Sequence, residues 1–179
     1  MISTLLSTAT SSNVASVSIT SGIDSTYDHY MFVFTDINPA TNDVNFTFQV
    51  NATDGADYND SLMTTAVFAA YHNESGTDDT SLAERTSEDQ AQAAGFQILQ
   101  FGLGNGADES CAGILHLFSP ASTTYVKHFY SRLNGYYAND YTFDWFVSGI
   151  INDTTAIDDI QFKMSSGNFD GVIQMYGIA

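Results

Sequence analysis

Residues 157–179, IDDIQFKMSSGNFDGVIQMYGIA, contain the pattern that decides the fold of this chain. Apolar and polar residues alternate from 160 to 164, which is the two-residue period of a half-buried β-strand. Turn-forming residues occupy 165–171, and an apolar segment returns at 172–178. The pattern predicts a β-hairpin over 157–179. We expect this hairpin to close a β-sandwich and to tie the end of the chain into a sheet.

The composition of the whole chain also favours an all-β fold. Of the 179 residues, 44% are apolar, including 13 Phe and 10 Tyr, which is enough to build a core. Lys and Arg together number only 4, whereas a helical protein normally carries many Lys, Glu and Arg at helical spacing. No repeat or linker divides the chain. We therefore predict one antiparallel β-sandwich domain over 14–179, jelly-roll-like, with about ten strands.

The individual strands are predicted from alternation and from apolar runs between turns. The clearest alternation is at 44–50, and the segment 27–37 is apolar on both faces, as expected of a central strand. Further strands are predicted at 14–19, 62–71, 96–101, 113–118, 125–133 and 141–151.

Two segments fall outside this strand pattern. Residues 1–13 are rich in Ser and Thr and are predicted to form a flexible arm. Ser87 and Gln90 have the spacing of a capping box, and Gly95 follows at the distance of a helix end. These residues predict a two-turn helix at 87–95.

The net charge of −17 argues against nucleic acid or an anionic membrane as a partner, because both require a basic surface. Such a charge is compatible with a saline environment, where salt screens self-repulsion, or with a basic partner. The first residues lack the basic and apolar regions of a secretion signal, and no apolar run approaches the ~20 residues that span a bilayer. We expect a soluble protein made in the cytosol.

Residues capable of metal or nucleophilic chemistry are present but form no recognised motif. Cys111 is the only cysteine, so an intramolecular disulfide is excluded, and its apolar surroundings predict a buried side chain. Two Asp-rich loops offer oxygen ligands for Ca²⁺ without the EF-hand order, and the four histidines share no spacing. The glycine-rich segment 102–106 lacks the lysine of a phosphate loop. We predict no catalytic residue, no cofactor and no metal, and leave Ca²⁺ binding by the Asp-rich loops open.

One aromatic cluster is the candidate for partner or glycan contact. Tyr136, Tyr137, Tyr141 and Trp145 lie close together in the sequence. Tyr and Trp are typical of interface anchors and sugar platforms, and they are equally typical of a sandwich core. Both interpretations of this cluster remain open at this stage.

Eight short stretches, spread in order over nearly the whole chain, carry a family resemblance. They are SVSITSGI (16–23), TYDHY (26–30), DINPA (36–40), AYHNE (70–74), FSPAS (118–122), VKHF (126–129), FKMSSGNF (162–169) and MYGI (175–178). Together they resemble a family of virion structural proteins of marine tailed bacteriophages, including those of cyanobacteria. The motifs are structural, so the resemblance assigns no functional residue.

The resemblance implies a non-enzymatic component of the phage particle, made in the cytoplasm of the bacterial host. Jelly-roll modules on virions are often homotrimers, which implies a homo-oligomer in contact with capsid or tail proteins. No fibrous segment precedes the domain, so a compact capsid decoration, cement or head-surface knob protein is the leading expectation. A tail-associated module that binds host glycans is the main alternative. A polysaccharide depolymerase is a weaker one.

Overall fold

The computed structural model describes residues 2–77 and 80–179, which form thirteen β-strands. No helix that could cross a membrane occurs in this part of the chain. The strands are β1 (Ser3–Val14), β2 (Ser16–Ile19), β3 (His29–Pro39), β4 (Val44–Ala52), β5 (Met63–Asn73), β6 (Thr80–Glu84), β7 (Ala91–Ala93), β8 (Gln97–Leu103), β9 (Cys111–Phe118), β10 (Lys127–Tyr137), β11 (Tyr141–Ile151), β12 (Ile157–Met164) and β13 (Phe169–Ile178).

The strands form two packed layers in which every pairing is antiparallel. The large layer has the order β1-β13-β3-β9-β10-β11-β5, and both β6 and β7 pair with β5. The small layer has the order β2-β12-β4-β8. Tyr137 of β10 pairs with Leu103 of β8, so the two layers are joined at one corner and the shape is nearly closed. The all-β sandwich, jelly-roll-like fold predicted from the sequence is confirmed.

Aromatic side chains fill the space between the layers. Phe34 of the large layer lies 5.2 Å from both Phe46 and Phe162 of the small layer, measured between ring centroids. Both contacts have the edge-to-face geometry that aromatic pairs prefer. Burying a side chain of this size contributes about 1.5–3 kcal/mol. The alternating apolar residues of each layer therefore hold the sandwich together.

The hairpin predicted over 157–179 is wrong in its pairing, although both of its strands exist. β12 pairs with β2 and β4 in the small layer, whereas β13 pairs with β1 and β3 in the large layer. Residues 165–168 cross between the layers. They are anchored on both sides, because Ser165 N donates to Asn45 O (2.8 Å) and Ala40 N donates to Asn168 O (2.8 Å). Two strands with alternating apolar residues and a turn between them can form a hairpin in one layer or cross from one layer to the other. Here they cross, and their apolar faces meet in the core.

Residues 3–14 form an edge strand, whereas the sequence predicted a flexible arm over 1–13. β1 pairs with β13 from Ser3 opposite Ile178 to Val14 opposite Phe169. Ser11 is buried, and its hydroxyl donates to Gly171 O at 3.0 Å. Threonine favours strands, and the polar residues of an edge strand suit the side that has no neighbouring strand and faces water. The Ser/Thr-rich composition of this segment therefore suits an edge strand.

The helix predicted at 87–95 is also wrong. The Ser87 hydroxyl donates to Glu88 (2.8 Å) instead of capping a helix, and Gln90 N donates to the Thr65 hydroxyl (2.8 Å). The short strand β7 follows and pairs with β5. Hydrogen bonds to a neighbouring strand thus replace the local bonds of a helix. The other predicted strands correspond to β2, β3, β4, β5, β8, β9, β10 and β11.

Candidate functional site

An open cleft of about 490 Å³ lies where β10 turns into β11, and we call it the aromatic cleft. Its walls come from β5, the segment after β6, β8, β10 and β11. The lining residues are Tyr71, Arg85, Phe101, Tyr137, Asn139, Tyr141 and Phe143. Its size falls within the range of about 300–1,000 Å³ that small-molecule sites occupy.

The turn between β10 and β11 places two of the tyrosines. Tyr137 and Tyr141 are opposite each other at the base of the turn, and Asp140 N donates to Tyr137 O at 3.0 Å. Ala138 N donates to Gly102 O at 3.0 Å, which ties the turn to β8. Gly102 has a φ of +62°, and a Cβ built there would lie 2.2 Å from a ring carbon of Tyr137. The absence of a side chain at Gly102 therefore allows the Tyr137 ring to occupy the cleft wall.

Arg85 supplies the charge of the cleft. The central carbon of its guanidinium lies 5.4 Å from the ring centroid of Trp145 and 5.6 Å from that of Phe101, within cation–π distance. Arg85 Nε lies 3.8 Å from a carboxylate oxygen of Glu88. The guanidinium makes no hydrogen bond to the described part of the chain. Among the described residues, Arg85 is the only charged one that lines the cleft, in a chain with 21 acidic residues and 4 Lys and Arg.

The structure brings together part of the predicted aromatic cluster. Tyr137 and Tyr141 line the cleft. Trp145 is fully buried beneath it and stacks on Phe101 with a centroid distance of 5.5 Å. Tyr136 lies outside the cleft. Because strand side chains alternate, neighbouring residues 136 and 137 point to opposite faces of the sheet.

Tyr136 instead belongs to an acidic surface pocket. Its hydroxyl donates to Glu74 Oε2 at 3.0 Å and lies 3.3 Å from Asp140 Oδ1. The hydrogen bond to Glu74 is the main cause that raises the pKa of the Tyr136 hydroxyl well above its usual value. Tyr136 is therefore tied to carboxylates of its own chain.

Sequence reasoning missed five of the seven lining residues, Tyr71, Arg85, Phe101, Asn139 and Phe143. Asn139 lies in the turn between the two predicted tyrosines. Phe143 follows Tyr141 at the strand period, so the alternation of β11 contained that signal. The other three lie more than 30 residues away in sequence and reach the cleft only through strand pairing. Arg85 had one further signal, since it is one of only 4 basic residues.

A second surface lies on the outer face of the large layer, and we call it the outer strip. It is a row of neighbouring rings across five strands, with centroid distances of 4.7 Å for Phe68–Phe146, 6.3 Å for Phe146–Tyr130, 5.8 Å for Tyr130–Phe118 and 4.6 Å for Phe118–His29. His116 completes it and lies 4.7 Å from the Tyr130 ring. The side chains of Phe68 and Tyr130 are 44% and 37% exposed. His29, Phe118 and Phe146 are half-buried, and His116 is buried.

The two histidines of the outer strip contact each other directly. His29 Nε2 and His116 Nδ1 are 2.7 Å apart, so one ring donates a hydrogen bond and the other accepts it. Burial lowers the pKa of both imidazoles, and the neighbouring His29 lowers that of His116 further. The pair is therefore stable in its neutral form.

The two Asp-rich loops contain Asp54, Asp57 and Asp60 in one and Asp153, Asp158 and Asp159 in the other, and several of these carboxylates accept hydrogen bonds from the chain itself. Asp60 accepts from Ala56 N at 3.1 Å, and Asp57 accepts from Asn59 N at 2.8 Å. Within residues 2–77 and 80–179, no group of three or more His, Cys, Asp or Glu side chains is arranged to hold a metal ion. Cys111 is buried as predicted, and burial strongly raises the pKa of its thiol.

Comparison of the chain with protein-family models, with curated proteins and with solved structures found no significant match.

Proposed function

We propose that this protein is a non-enzymatic structural component of a phage particle, a capsid decoration, cement or head-surface knob protein, whose copies associate through the outer strip. The observation that carries the proposal is the row of aromatic rings on the large layer, in which Phe68 and Tyr130 are exposed. The resemblance to virion proteins supports a location in the phage particle. The outer strip supports association between copies of this chain.

The outer strip has the chemistry of a protein interface. Aromatic residues are enriched at the centres of interfaces, and contiguous apolar patches are uncommon on the free surfaces of monomers. Half-buried Met31, Val33 and Ile114 lie on the same face of the large layer and extend the apolar surface around the rings. Covering this area with a second copy removes apolar surface from water.

Charge also favours contact through this face. Arg132 lies on the same face and donates to Asp144 from both Nε and Nη2, so these two charges neutralise each other. Glu84, opposite Phe68 on β6, adds one negative charge at the edge of this face. The chain as a whole carries a net charge of −17, so copies that meet through a face with few net charges avoid most of the repulsion between their acidic surfaces. The homotrimer implied by the resemblance is the assembly we expect.

Light scattering coupled to size-exclusion chromatography tests the association. Tyr130→Ser removes the central ring of the strip and should convert the oligomer to monomers, because a single aromatic anchor often contributes 2 kcal/mol or more, about thirtyfold in affinity. Tyr125→Ser is the matched control, since Tyr125 is 73% exposed and lies in the loop before β10. A wild-type monomer, or equal effects of the two variants, would contradict the proposed interface.

Cryo-electron microscopy of the intact particle tests the location. Density for this fold on the head lattice is the expected result. Density confined to the tail would contradict head decoration and favour the tail-associated alternative. Absence of the chain from purified particles, measured by mass spectrometry, would overturn the virion assignment.

A further inference from the structure

We propose that the aromatic cleft is a binding site for a sugar residue that carries a carboxylate, of the uronic acid type, with Arg85 as the group that holds the carboxylate. This inference concerns a different face from the outer strip and does not depend on how copies assemble. It rests on the rings of the cleft, on the free donors of Arg85 and on the local balance of charge.

The walls of the cleft fit a pyranose ring. Tyr71 lies 5.6 Å from Tyr141 in edge-to-face geometry, and Tyr137 lies 5.9 Å from Tyr141. All three tyrosines are only partly buried. Their ring surfaces can cover the apolar C–H faces of a sugar, while the hydroxyls of Tyr71 and Tyr137 and the exposed Asn139 amide provide hydrogen-bonding groups for sugar hydroxyls.

The Arg85 guanidinium lacks an acceptor. It has five N–H donors, and none forms a hydrogen bond with the described part of the chain. Glu88 approaches Nε alone, at 3.8 Å, which is beyond hydrogen-bond distance. A carboxylate accepts two parallel bonds from a guanidinium, and this geometry suits the remaining donors. Arg85 is already held over Trp145 and Phe101, so little side-chain freedom is lost on binding.

The described lining of the aromatic cleft carries a positive charge on an acidic molecule. None of the seven described lining residues is acidic, whereas the chain has 21 Asp and Glu, and the nearest carboxylate to Arg85 in the described part of the chain is that of Glu88. Repulsion by distant carboxylates is screened in salt, and at about 1 M ionic strength the screening length falls to roughly 3 Å. The attraction between Arg85 and a carboxylate inside the cleft is screened less. Salt therefore weakens the repulsion from distant carboxylates more than it weakens this attraction.

Titration with a trimer of galacturonic acid, and with the same trimer after its carboxyl groups have been reduced to alcohols, tests the proposal. Trp145 is the only tryptophan of the chain and contacts Arg85 and Phe101, so its fluorescence reports on the cleft. In about 1 M NaCl, we expect saturable binding of the acidic trimer, at least tenfold tighter than that of the reduced one. Equal affinities, or no saturation by roughly 10 mM acidic trimer, would overturn the proposal.

Substitutions then locate the site. Arg85→Gln should weaken binding of the acidic trimer by roughly tenfold to a hundredfold and make the two trimers equivalent. Arg132→Gln removes the same charge from the outer face and should leave both affinities unchanged. Asn139→Asp adds a carboxylate at an exposed turn position, so it should weaken the acidic trimer alone even if Arg85→Gln fails to fold. Unchanged affinity in Asn139→Asp, or an equal loss in Arg132→Gln, would contradict a site in the cleft.

Discussion

At the scale of single residues, Gly102 controls the shape of the aromatic cleft. We expect Gly102→Ala to lower the free energy of unfolding by about 1–3 kcal/mol more than Gly76→Ala. Both glycines have similar positive φ angles, +62° and +68°, so both substitutions carry the same conformational cost. At Gly102 the added methyl group collides with the Tyr137 ring, whereas no atom of the described residues lies within 4 Å of a Cβ built at Gly76. Urea denaturation of the two variants measures the difference, and equal losses would contradict it.

The His29–His116 pair should make stability fall as the pH drops. Burial lowers the pKa of both imidazoles below 6.5, so the unfolded chain takes up protons first. The contribution of the neutral pair to the free energy of unfolding is therefore fully present above about pH 6.5. It is lost as the pH falls from that value through the folded-state pKa. Urea denaturation near pH 7.5 and pH 5.5 should show a smaller pH-dependent loss in His116→Asn than in the wild type.

His128→Asn is the matched control for this prediction. His128 is exposed on the neighbouring strand β10 and is not part of the histidine pair. We expect its pH dependence to follow that of the wild type. If His116→Asn also followed the wild type, the pair would not be the source of the effect.

Individual residues were predictable where local sequence carries the signal. The buried thiol of Cys111 followed from its apolar neighbours. Tyr137 and Tyr141 were identified because they lie within one turn, and the same proximity grouped them with Tyr136, which lies on the opposite face of the sheet. Arg85 was not predictable as a cleft residue, because the rings that hold it come from two other strands.

At the scale of strands, the alternation of apolar and polar residues predicts where a strand lies but not which strands it pairs with. The pattern at 160–164 correctly predicted β12, and the apolar run at 172–178 correctly predicted β13. Their assignment to one hairpin was wrong, because two-residue periodicity says which side of a strand is buried and not which sheet contains it. The strands β1, β6 and β7 lie at the edge of the large layer or beside its last strand, where a polar composition hides the pattern.

Deletion of residues 1–13 distinguishes an edge strand from a free arm. The deletion removes nearly all of β1, whose ladder with β13 includes Ser11 and its hydrogen bond to Gly171. Since each hydrogen bond contributes about 1 kcal/mol net, we expect a loss of at least roughly 3 kcal/mol in the free energy of unfolding. The uncovered edge of β13 should also promote aggregation. Thermal melting measures the effect, and an unchanged melting temperature would indicate an arm.

At the scale of the whole molecule, the charge of −17 should make stability depend on salt. Raising NaCl from about 0.1 M to about 1 M shortens the screening length from roughly 10 Å to 3 Å and weakens self-repulsion in the folded state. We expect the melting temperature, measured by scanning calorimetry, to rise over this range. A fall, or no change, would contradict this account.

Calcium chloride at matched ionic strength is the control for simple screening. The carboxylates of Asp57 and Asp60 already accept bonds from their own loop. We therefore expect Ca²⁺ and Na⁺ salts to give similar gains in melting temperature. A saturable extra gain with Ca²⁺ would reveal a cation site in the Asp-rich loops.

Composition was sufficient to predict the architecture of the molecule, but not the surfaces on which its function depends. Few basic residues and many aromatic and turn-forming residues specified an all-β sandwich. The outer strip joins rings from β3, β9, β10, β11 and β5, and only the order of strands in the sheet makes them neighbours.

The position of β13 between β1 and β3 sets an order of events during biosynthesis. β1 leaves the ribosome early, yet its hydrogen-bonding partner is encoded more than 150 residues later. β3 likewise lacks one of its two neighbours until β13 has been translated. The nascent chain therefore carries both strands without this partner until β13 has been translated, a period in which long-range β-proteins are open to misassembly. The large layer is completed in a later step, in which β13 is inserted between β1 and β3.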